Sequence, residues 1–523
     1  MNQKKSIKNL IMHGGILAVA GILVRVIGLV YRIPMLNIIG DEAYGIYSAA
    51  YNVYNIMLVL SSYGLPMAVS KLVSDRLAKK QYRDAKKIFL SSMTVAVCTG
   101  GIAAGITFFG AGFIERHFYS GYDGISLPLR VLAPTIFIVS LLGVLRGFYQ
   151  GQGTTIPTAI SQLLEQVVNA VVSIFAGYIL IRTFKESVEV SGYGAAGGTM
   201  GTAFGALMAL AFLVFLYLIY RPAFNRKLKR DTYSVDEPYS DILKVIIMTM
   251  VPIILGQTFY QISATIDDIM FGKIMLKAGM TSSEITKAIG NYNSSYVILT
   301  GVVMGVASAM SASMLPSIVT SKARREYEEI SEKISATIKT NMFIAIPSFV
   351  GLTILGKPIV QLLFAKFDSD QGGMMLKIGG IAVIFYTIST VTSSALQGID
   401  KMKLPVIHSS ISLLIHVILV YVLLKFTNLG IYAIVIGSTT FPVVVMILNL
   451  VSLNRYVGYT QEVIQTLFVP FVCSVIMGII AVLTFNLFIM LSDSNFIAVC
   501  FALVMAAVSY FGGIFICRKK GLY

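Results

Sequence analysis

Apolar residues in this chain come in long unbroken runs rather than in a 3.6-residue stripe, and that property excludes most folds at once. About fourteen runs, each about 20 to 29 residues long, begin near Leu10, Gly45, Ile88, Leu129, Ile156, Ala195, Ile242, Ser294, Ile338, Ile378, Leu404, Gly430, Ile464 and Phe496. Such a run, coiled as a helix, matches the hydrocarbon thickness of a bilayer. With 56% hydrophobic and only 13% charged residues, the chain reads as an all-α polytopic membrane protein of about 14 transmembrane helices. The first run is too long for a cleavable signal peptide and ends without a small-residue cleavage site, so it is expected to be the first span.

Topology follows from the basic residues. Placing the N-terminus in the cytoplasm puts 28 of the 41 Lys and Arg on the cytoplasmic side, among them Lys4, Lys5, Lys8, the cluster Lys71 to Lys87 and the cluster Arg221 to Arg230. Arg25 and Arg32 fall inside the first span, and only 11 basic residues remain for the outer loops. The positive-inside rule therefore predicts that both termini are cytoplasmic, in a multi-pass protein of the cytoplasmic membrane. The net charge of +16 is read as a topology signal, and no nucleic acid partner is expected. Cys98, Cys473, Cys500 and Cys517 lie in or beside apolar runs without CxxC spacing, so neither disulfides nor a metal cluster is expected.

The chain repeats itself at long range. LRGFYQGQGTTIP (Leu145 to Pro157) has an echo in ALQGIDKMKLP (Ala395 to Pro405), and GLPMAVS (Gly64 to Ser70) has one in MLPSIVT (Met314 to Thr320). Gln150-Gly151 and Gln397-Gly398 stand 247 residues apart, Pro157 and Pro405 248, and Pro66 and Pro316 250. These offsets predict two pseudo-symmetric six-helix lobes, 1–220 and 242–455, joined by a polar cytoplasmic linker, 221–241, and followed by a helix pair, 456–523. An even number of spans separates the copies, so both have the same orientation, an arrangement in which transporters usually bind substrate between halves.

Arg25 and Arg32 are seven residues apart, close to two helical turns, and so leave the first span on nearly the same face. A guanidinium near the bilayer centre costs about 2.5 to 3.5 kcal/mol on insertion scales and does not shed its proton. A wet cavity holding an anion offsets that cost; a diphosphate suits the guanidinium fork. The alternative is that Arg32, near Pro34, snorkels to the interface while Arg25 pairs with an internal acid. Gly14, Gly15, Gly21, Gly28 and Pro34 would let the span bend.

The two-lobe plan, RGFYQG after the fourth span, its QG echo after the tenth and GDEAYGIYSAAYNVY after the first resemble the multidrug/oligosaccharidyl-lipid/polysaccharide (MOP) flippase superfamily. GLPMAVSKLVS and PTAISQLLEQ look like the branch of stage V sporulation protein B, which is similar to MurJ-type lipid II flippases. The resemblance implies a MATE/MurJ-like fold and alternating access between two lobes. It implies as cargo an undecaprenyl-diphosphate-linked glycan such as lipid II, with membrane lipids and cell-wall synthesis proteins as further candidate partners and a monomeric protein. Basic residues of the first span line the cavity in that family, and Arg25 and Arg32 match them in placement. Here the second and eighth spans, unlike those of MurJ proteins, carry no Lys or Arg.

Other intramembrane polar residues have two readings each. Glu165 on the fifth span is either a proton or cation coupling site or a structural partner of Arg146. Asp267 and Asp268 are a substrate or ion gate, or an interfacial helix end near Lys273. Asn52 and Asn55 with Tyr51 and Tyr54, and Gln257 and Gln261 with Tyr260, either hydrogen-bond the sugars of a lipid-linked glycan or bind neighbouring helices. Arg146 to Gly151 and Gln397-Gly398 form helix-exit turns, architectural or gating. His408 and His416, eight apart, are expected to pack in a core or cavity.

No Walker A, HExxH or nucleophile-elbow motif occurs, so neither catalysis nor ATP-driven transport is expected. No cofactor is expected; the membrane potential or an H+ or Na+ gradient would drive transport. The rival function is a multidrug/cation antiporter of the same superfamily, which would concentrate carboxylates where this chain has Arg25 and Arg32. A third is a non-transporting scaffold, for which those charges are dispensable.

Overall fold

The structure, a computed structural model, describes residues 2–235 and 237–520. Side chains of 2–19, 22, 252, 253, 255, 256, 259 and 260 lie outside the description, and with them the expectations placed on Lys4, Lys5, Lys8, Gly14, Gly15 and Tyr260. Among the described residues there is no strand, and two compact units, Met1–Lys287 and Ala288–Tyr523, account for the chain.

The first unit contains α1 (Asn2–Ser61), α2 (Leu65–Ala78), α3 (Tyr82–His117), α4 (Ser126–Gly151), α5 (Ile156–Thr183), α6 (Val190–Lys229), α7 (Tyr239–Lys277) and most of α8 (Ser282–Asn291). The second has a π-helical turn, Tyr292–Ile298, then α9 (Leu299–Ala323), α10 (Tyr327–Leu363), α11 (Ser369–Gly379), α12 (Ala382–Gly398), α13 (Lys403–Phe426), α14 (Ile431–Val457), α15 (Val469–Ser492) and α16 (Asn495–Lys519). Each of the fourteen apolar runs begins in or directly beside a helix. Among the described residues eleven helical segments are long and apolar enough to cross a membrane, or twelve if the bent pair α11 and α12 is one span. The expected count of fourteen is not reached, partly because the first two runs form one helical segment broken only at Gly40. Gly40 has φ 84° and ψ 174°, a backbone region essentially confined to glycine.

Lipid supplies no hydrophobic force between helices, so close backbone approach must hold them together. On α4, whose span is more buried than the other candidate spans described in its unit, Gly143, Gly147 and Gly151 recur every fourth residue and form a groove for α2. A Cβ on Gly147 would stand 2.6 Å from the Pro66 carbonyl oxygen and 2.9 Å from Val69 Cβ, and one on Gly151 2.8 Å from Val73 Cβ. The repeated motifs therefore touch each other. In the second unit the same contact recurs: a Cβ on Gly398 would stand 2.7 Å from Ile318 Cγ2, beside Pro316.

Turn geometry repeats as well. Lys80 (φ 61°) follows α2 and Arg325 (φ 62°) follows α9; Gly153 (φ 81°) follows α4 and Asp400 (φ 61°) follows α12. Asp400 thus occupies a left-handed position that its counterpart fills with glycine. Its carboxylate pairs with Lys322.

The expected linker 221–241 is partly helical, since α6 continues to Lys229. Beyond it the chain is strapped to α2 and α3. Asp231 accepts hydrogen bonds from the backbone N–H of Arg83 (2.7 Å), Tyr233 (2.9 Å) and Ser234 (3.1 Å) and from the Ser234 hydroxyl (2.6 Å). Asp84 accepts from the Val235 N–H at 2.9 Å, and Arg76 pairs with Glu237 at 2.5 Å. Burial pushes the Asp231 carboxyl up, but these four donors outweigh it and hold it at about 2. Helix α7, which the sequence assigns to the second lobe, packs in the first unit: Gly64 approaches Met250, and Gly272 approaches Tyr122 and the Ser120 carbonyl.

Gly147→Ala is expected to cost about 1 to 3 kcal/mol through overpacking against backbone, read as a lower thermal midpoint of the detergent-solubilised protein. Gly101→Ala, with nothing within 4 Å of the added Cβ, should leave the midpoint unchanged or raise it. The strap has the opposite sensitivity to pH from a histidine clasp. Because folding lowers the Asp231 pKa, its contribution is complete above the unfolded value and is lost only as pH falls through about 2. Tryptic cleavage at Lys229 and Arg230 should therefore not vary with folded-state opening between about pH 5 and 8, while Asp231→Asn should accelerate it.

Candidate functional site

Within the first unit the polar groups sort into those already satisfied and those that are not. Glu165 belongs to the first kind. Arg146 Nη2 meets Glu165 Oε2 at 2.6 Å, and Arg146 Nε donates to Ser161 Oγ at 3.0 Å. The geometry is the structural pairing, joining the end of α4 to α5. Helix α6 locks α5 in place through glycine: Cβ atoms at Gly201 and Gly205 would stand 2.4 Å from the Asn169 carbonyl oxygen and 2.5 Å from that of Glu165.

Arg32 belongs to the second kind. Its Nε is buried and has no hydrogen-bond partner. Around it, within electrostatic reach, stand Tyr31, Tyr44, Tyr47 and Tyr51. The last three begin a ladder on α1 that continues to Tyr54, with ring centroids 5.5, 5.3 and 5.2 Å apart. Spacings of three, four and three residues put all four rings on one helix face. That periodicity stands in the sequence within GDEAYGIYSAAYNVY. Arg25, by contrast, is exposed; the two guanidinium groups share a helix face but not an environment.

A second polar region joins α1 to α7. Asn52 Nδ2 donates to Asp268 Oδ2 at 2.8 Å, and the Tyr122 hydroxyl donates to the Asp268 carbonyl oxygen at 2.9 Å. Asp267 and Asp268 are both buried, and α7 continues past them to Lys277. Lys273, expected nearby, lies over the Phe118 ring at 5.6 Å. The contacts Asn52–Asp268 and Gly64–Met250 show the chain from α1 to the start of α2 running antiparallel to α7 along one seam. On α7, Gln257, Gln261, Thr265 and Asp268 fall on one face, at intervals of four, four and three. Asn55, Gln257 and Gln261 are half-buried, and none makes a hydrogen bond to a described residue.

In the second unit the histidines are packed. His408 Nδ1 meets Asn449 Oδ1 at 2.7 Å, and Asn449 Nδ2 donates to Ser393 Oγ at 2.8 Å and to Thr392 Oγ1 at 3.1 Å. His416 is buried against Phe441. Cys473 and Cys517, which the sequence left unrelated, bring their free Sγ atoms to 3.9 Å between α15 and α16.

A family model described as "Polysaccharide biosynthesis protein" matches residues 11–322, and one described as MatE matches 252–422. The chain is 25% identical over 501 residues to the lipid II flippase MurJ of Bacillus subtilis (strain 168), covering 92% of this chain and 90% of that protein. It is 22% identical over 441 residues to stage V sporulation protein B of the same organism, covering 84% and 82%. Among solved structures, lipid II flippase MurJ in an inward closed conformation superposes with a TM-score of 0.72 at 16% identity, over 97% of this chain and 99% of that one.

The Arg146–Glu165 pair generates a double-mutant prediction. Both side chains are mostly buried, so Glu165→Gln or Arg146→Met alone should each lower stability by about 1 to 3 kcal/mol, while the double variant should lose much less than their sum. Thermal or denaturant unfolding of the four proteins measures the coupling.

Proposed function

The chain belongs to the polysaccharide biosynthesis protein family, within the MOP superfamily, and from that premise we propose that it is a flippase for a polyprenyl-diphosphate-linked saccharide. The cargo is a lipid II-like peptidoglycan precursor or a related surface-polysaccharide unit. The protein works by alternating access in the cytoplasmic membrane, with both termini cytoplasmic, as a monomer, and draws on the membrane potential or an ion gradient rather than on ATP. Family and fold are those of transporters and flippases rather than enzymes.

The observation that carries this reading is Arg32. A buried donor left without an acceptor costs about 1 to 3 kcal/mol, and more on a charged group. A phosphate oxygen is the acceptor that best relieves it, because the guanidinium fork and the anion satisfy one another in charge and in geometry. The tyrosine ladder beside Arg32 adds hydroxyls suited to the remaining diphosphate oxygens or the first sugar. Arg25, exposed about two turns away, is placed to attract the same anion. The half-buried amides Asn55, Gln257 and Gln261, with Asn52, are assigned to the glycan.

One observation favours the rival antiporter reading: a buried carboxylate at Asp268, with a MatE model matching the region that begins at residue 252. Cationic drugs would use that carboxylate and gain nothing from Arg32.

Liposomes carrying a fluorescent polyprenyl-diphosphate saccharide separate the two. Wild-type protein should expose the inner-leaflet label to an external quencher. Arg32→Ala should slow this at least about tenfold, the loss of one charge-assisted contact or more, and Arg32→Lys should restore it only partly, because the charge returns without the fork. Drug efflux without lipid movement, or full activity in Arg32→Ala, refutes the flippase reading.

A further inference from the structure

We propose that Cys473 and Cys517 form a redox-sensitive dithiol, which a hydroperoxide converts to a disulfide stapling α15 to α16 and a thiol reductant reopens. The inference goes beyond the transport reading and makes no use of the cargo; the proposed topology enters only in placing the pair at the cytoplasmic face.

Two consecutive helices build the pair. Cys473 is the fifth residue of α15 and Cys517 the third from the end of α16, so both stand at the same end of the hairpin, away from its turn at Asp493 and Ser494. Both are free thiols, and their Sγ atoms are 3.9 Å apart, within reach of a weak S–H···S contact. A disulfide needs Cβ atoms about 3.5 to 4.5 Å apart, and hence backbones that approach closely. Gly513 supplies that approach. It lies one turn before Cys517 on the same face of α16, and a Cβ there would stand 3.4 Å from Cys473 Sγ and 3.6 Å from Cys473 Cβ. The turn of α16 that leads into Cys517 therefore rests directly on Cys473.

The surroundings suit thiol oxidation. Among the described residues no group of three His, Cys, Asp or Glu side chains gathers as a metal site would require, so these two sulfurs have chiefly each other to react with. Cys473 is 4% exposed, in an apolar cluster with Met477, Ala506 and Tyr510, whereas Cys517 is half-buried. That difference sets the order of events, because an oxidant reaches Cys517 first. The Cys517 sulfur attacks the terminal oxygen of the hydroperoxide, the O–O bond breaks, and the thiol proton leaves with the other oxygen as water or an alcohol. The product is a sulfenic acid. The Cys473 sulfur then attacks the Cys517 sulfur, the S–OH bond breaks, and the hydroxyl leaves as water with the Cys473 proton. Two thiols are oxidised to one disulfide while the hydroperoxide is reduced; two molecules of a monothiol return both electrons and both protons by exchange.

The staple would join helices that are anchored separately. On α16, Asn495 Nδ2 donates to the Pro358 carbonyl and the Tyr510 hydroxyl to the Phe343 carbonyl of α10, both at 3.0 Å. On α15, Gly478 lies against α10, where an added Cβ would stand 2.5 Å from Ile354 Cδ1. A disulfide at the end away from the turn closes the hairpin into a ring, so that α15 and α16 hold to α10 as one element and the unfolded chain loses freedom.

The test uses purified full-length protein without cargo. After hydrogen peroxide, remaining thiols are alkylated with N-ethylmaleimide, and non-reducing peptide maps are recorded beside thermal midpoints. Wild type should fall from four free thiols to two, with one peptide joining Cys473 to Cys517, and its midpoint should rise and then return after reduced glutathione. Cys98→Ala and Cys500→Ala, at exposed positions, should respond as wild type does; Cys473→Ala and Cys517→Ala should form no internal crosslink and show no rise. If either of the last two does not fold, the wild-type map decides alone. The proposal is overturned if all four thiols survive, if Cys517 proceeds to sulfinic acid without joining Cys473, or if the crosslink leaves the midpoint unchanged or resists glutathione. None of these readouts involves lipid movement, so a failed flipping assay leaves the result standing.

Discussion

Hydrocarbon offers the backbone no hydrogen-bond partner, and everything else in this protein follows from that constraint. Each spanning segment must satisfy its own amides as a helix, and helices surrounded by lipid cannot rely on hydrophobic burial to find one another. Close approach through small residues takes that role. Gly143, Gly147 and Gly151 seat α4 against α2; Gly197, Gly201 and Gly205 seat α6 against α5, with a Cβ at Gly197 only 2.7 Å from Gly177 Cα; Gly45 lies directly on the Thr286 carbonyl. These contacts fix rotation as well as distance. Once α5 is pinned against α6, Glu165 has no freedom but to meet Arg146, and once Gly64 sits on Met250, Asn52 meets Asp268.

Packing of that kind makes an unsatisfied polar atom informative. In the second unit Asn449 is fully partnered, its amide spanning Ser393, Thr392 and His408. In the first unit Arg146 is likewise held, by Glu165 and Ser161, while the Nε of Arg32 has no partner among the described residues.

Much of this was written in the sequence. The apolar runs fall in helices, and the offset of about 248 residues, read from Gln150-Gly151, Pro157 and Pro66, reappears as a repeated contact and as paired left-handed turns at Lys80 and Arg325. The Arg146–Glu165 alternative was legible because a short turn joins the two helices and limits the partners. What escaped was pairing across long stretches of chain: Asn52 with Asp268, 216 residues away, and Cys473 with Cys517. Periodicity tells which residues share a face but not which helix that face meets. The tyrosine ladder escaped for a different reason, since its three-four-three spacing within an aromatic-rich motif has the same appearance as ordinary core.

The two polar regions of the first unit, at Arg32 and at Asp268, meet on α1. Tyr51 stands within electrostatic reach of Arg32, and the next residue, Asn52, holds Asp268. The tyrosine ladder that faces Arg32 and the amide that faces Asp268 both lie on α1 between Gly40 and Ser61. Coupling between two ligands requires an element whose position each of them biases. Hinged at Gly40, whose backbone angles other residues adopt only with strain, this segment is the part of α1 on which a change at Arg32 and a change at Asp268 would both act.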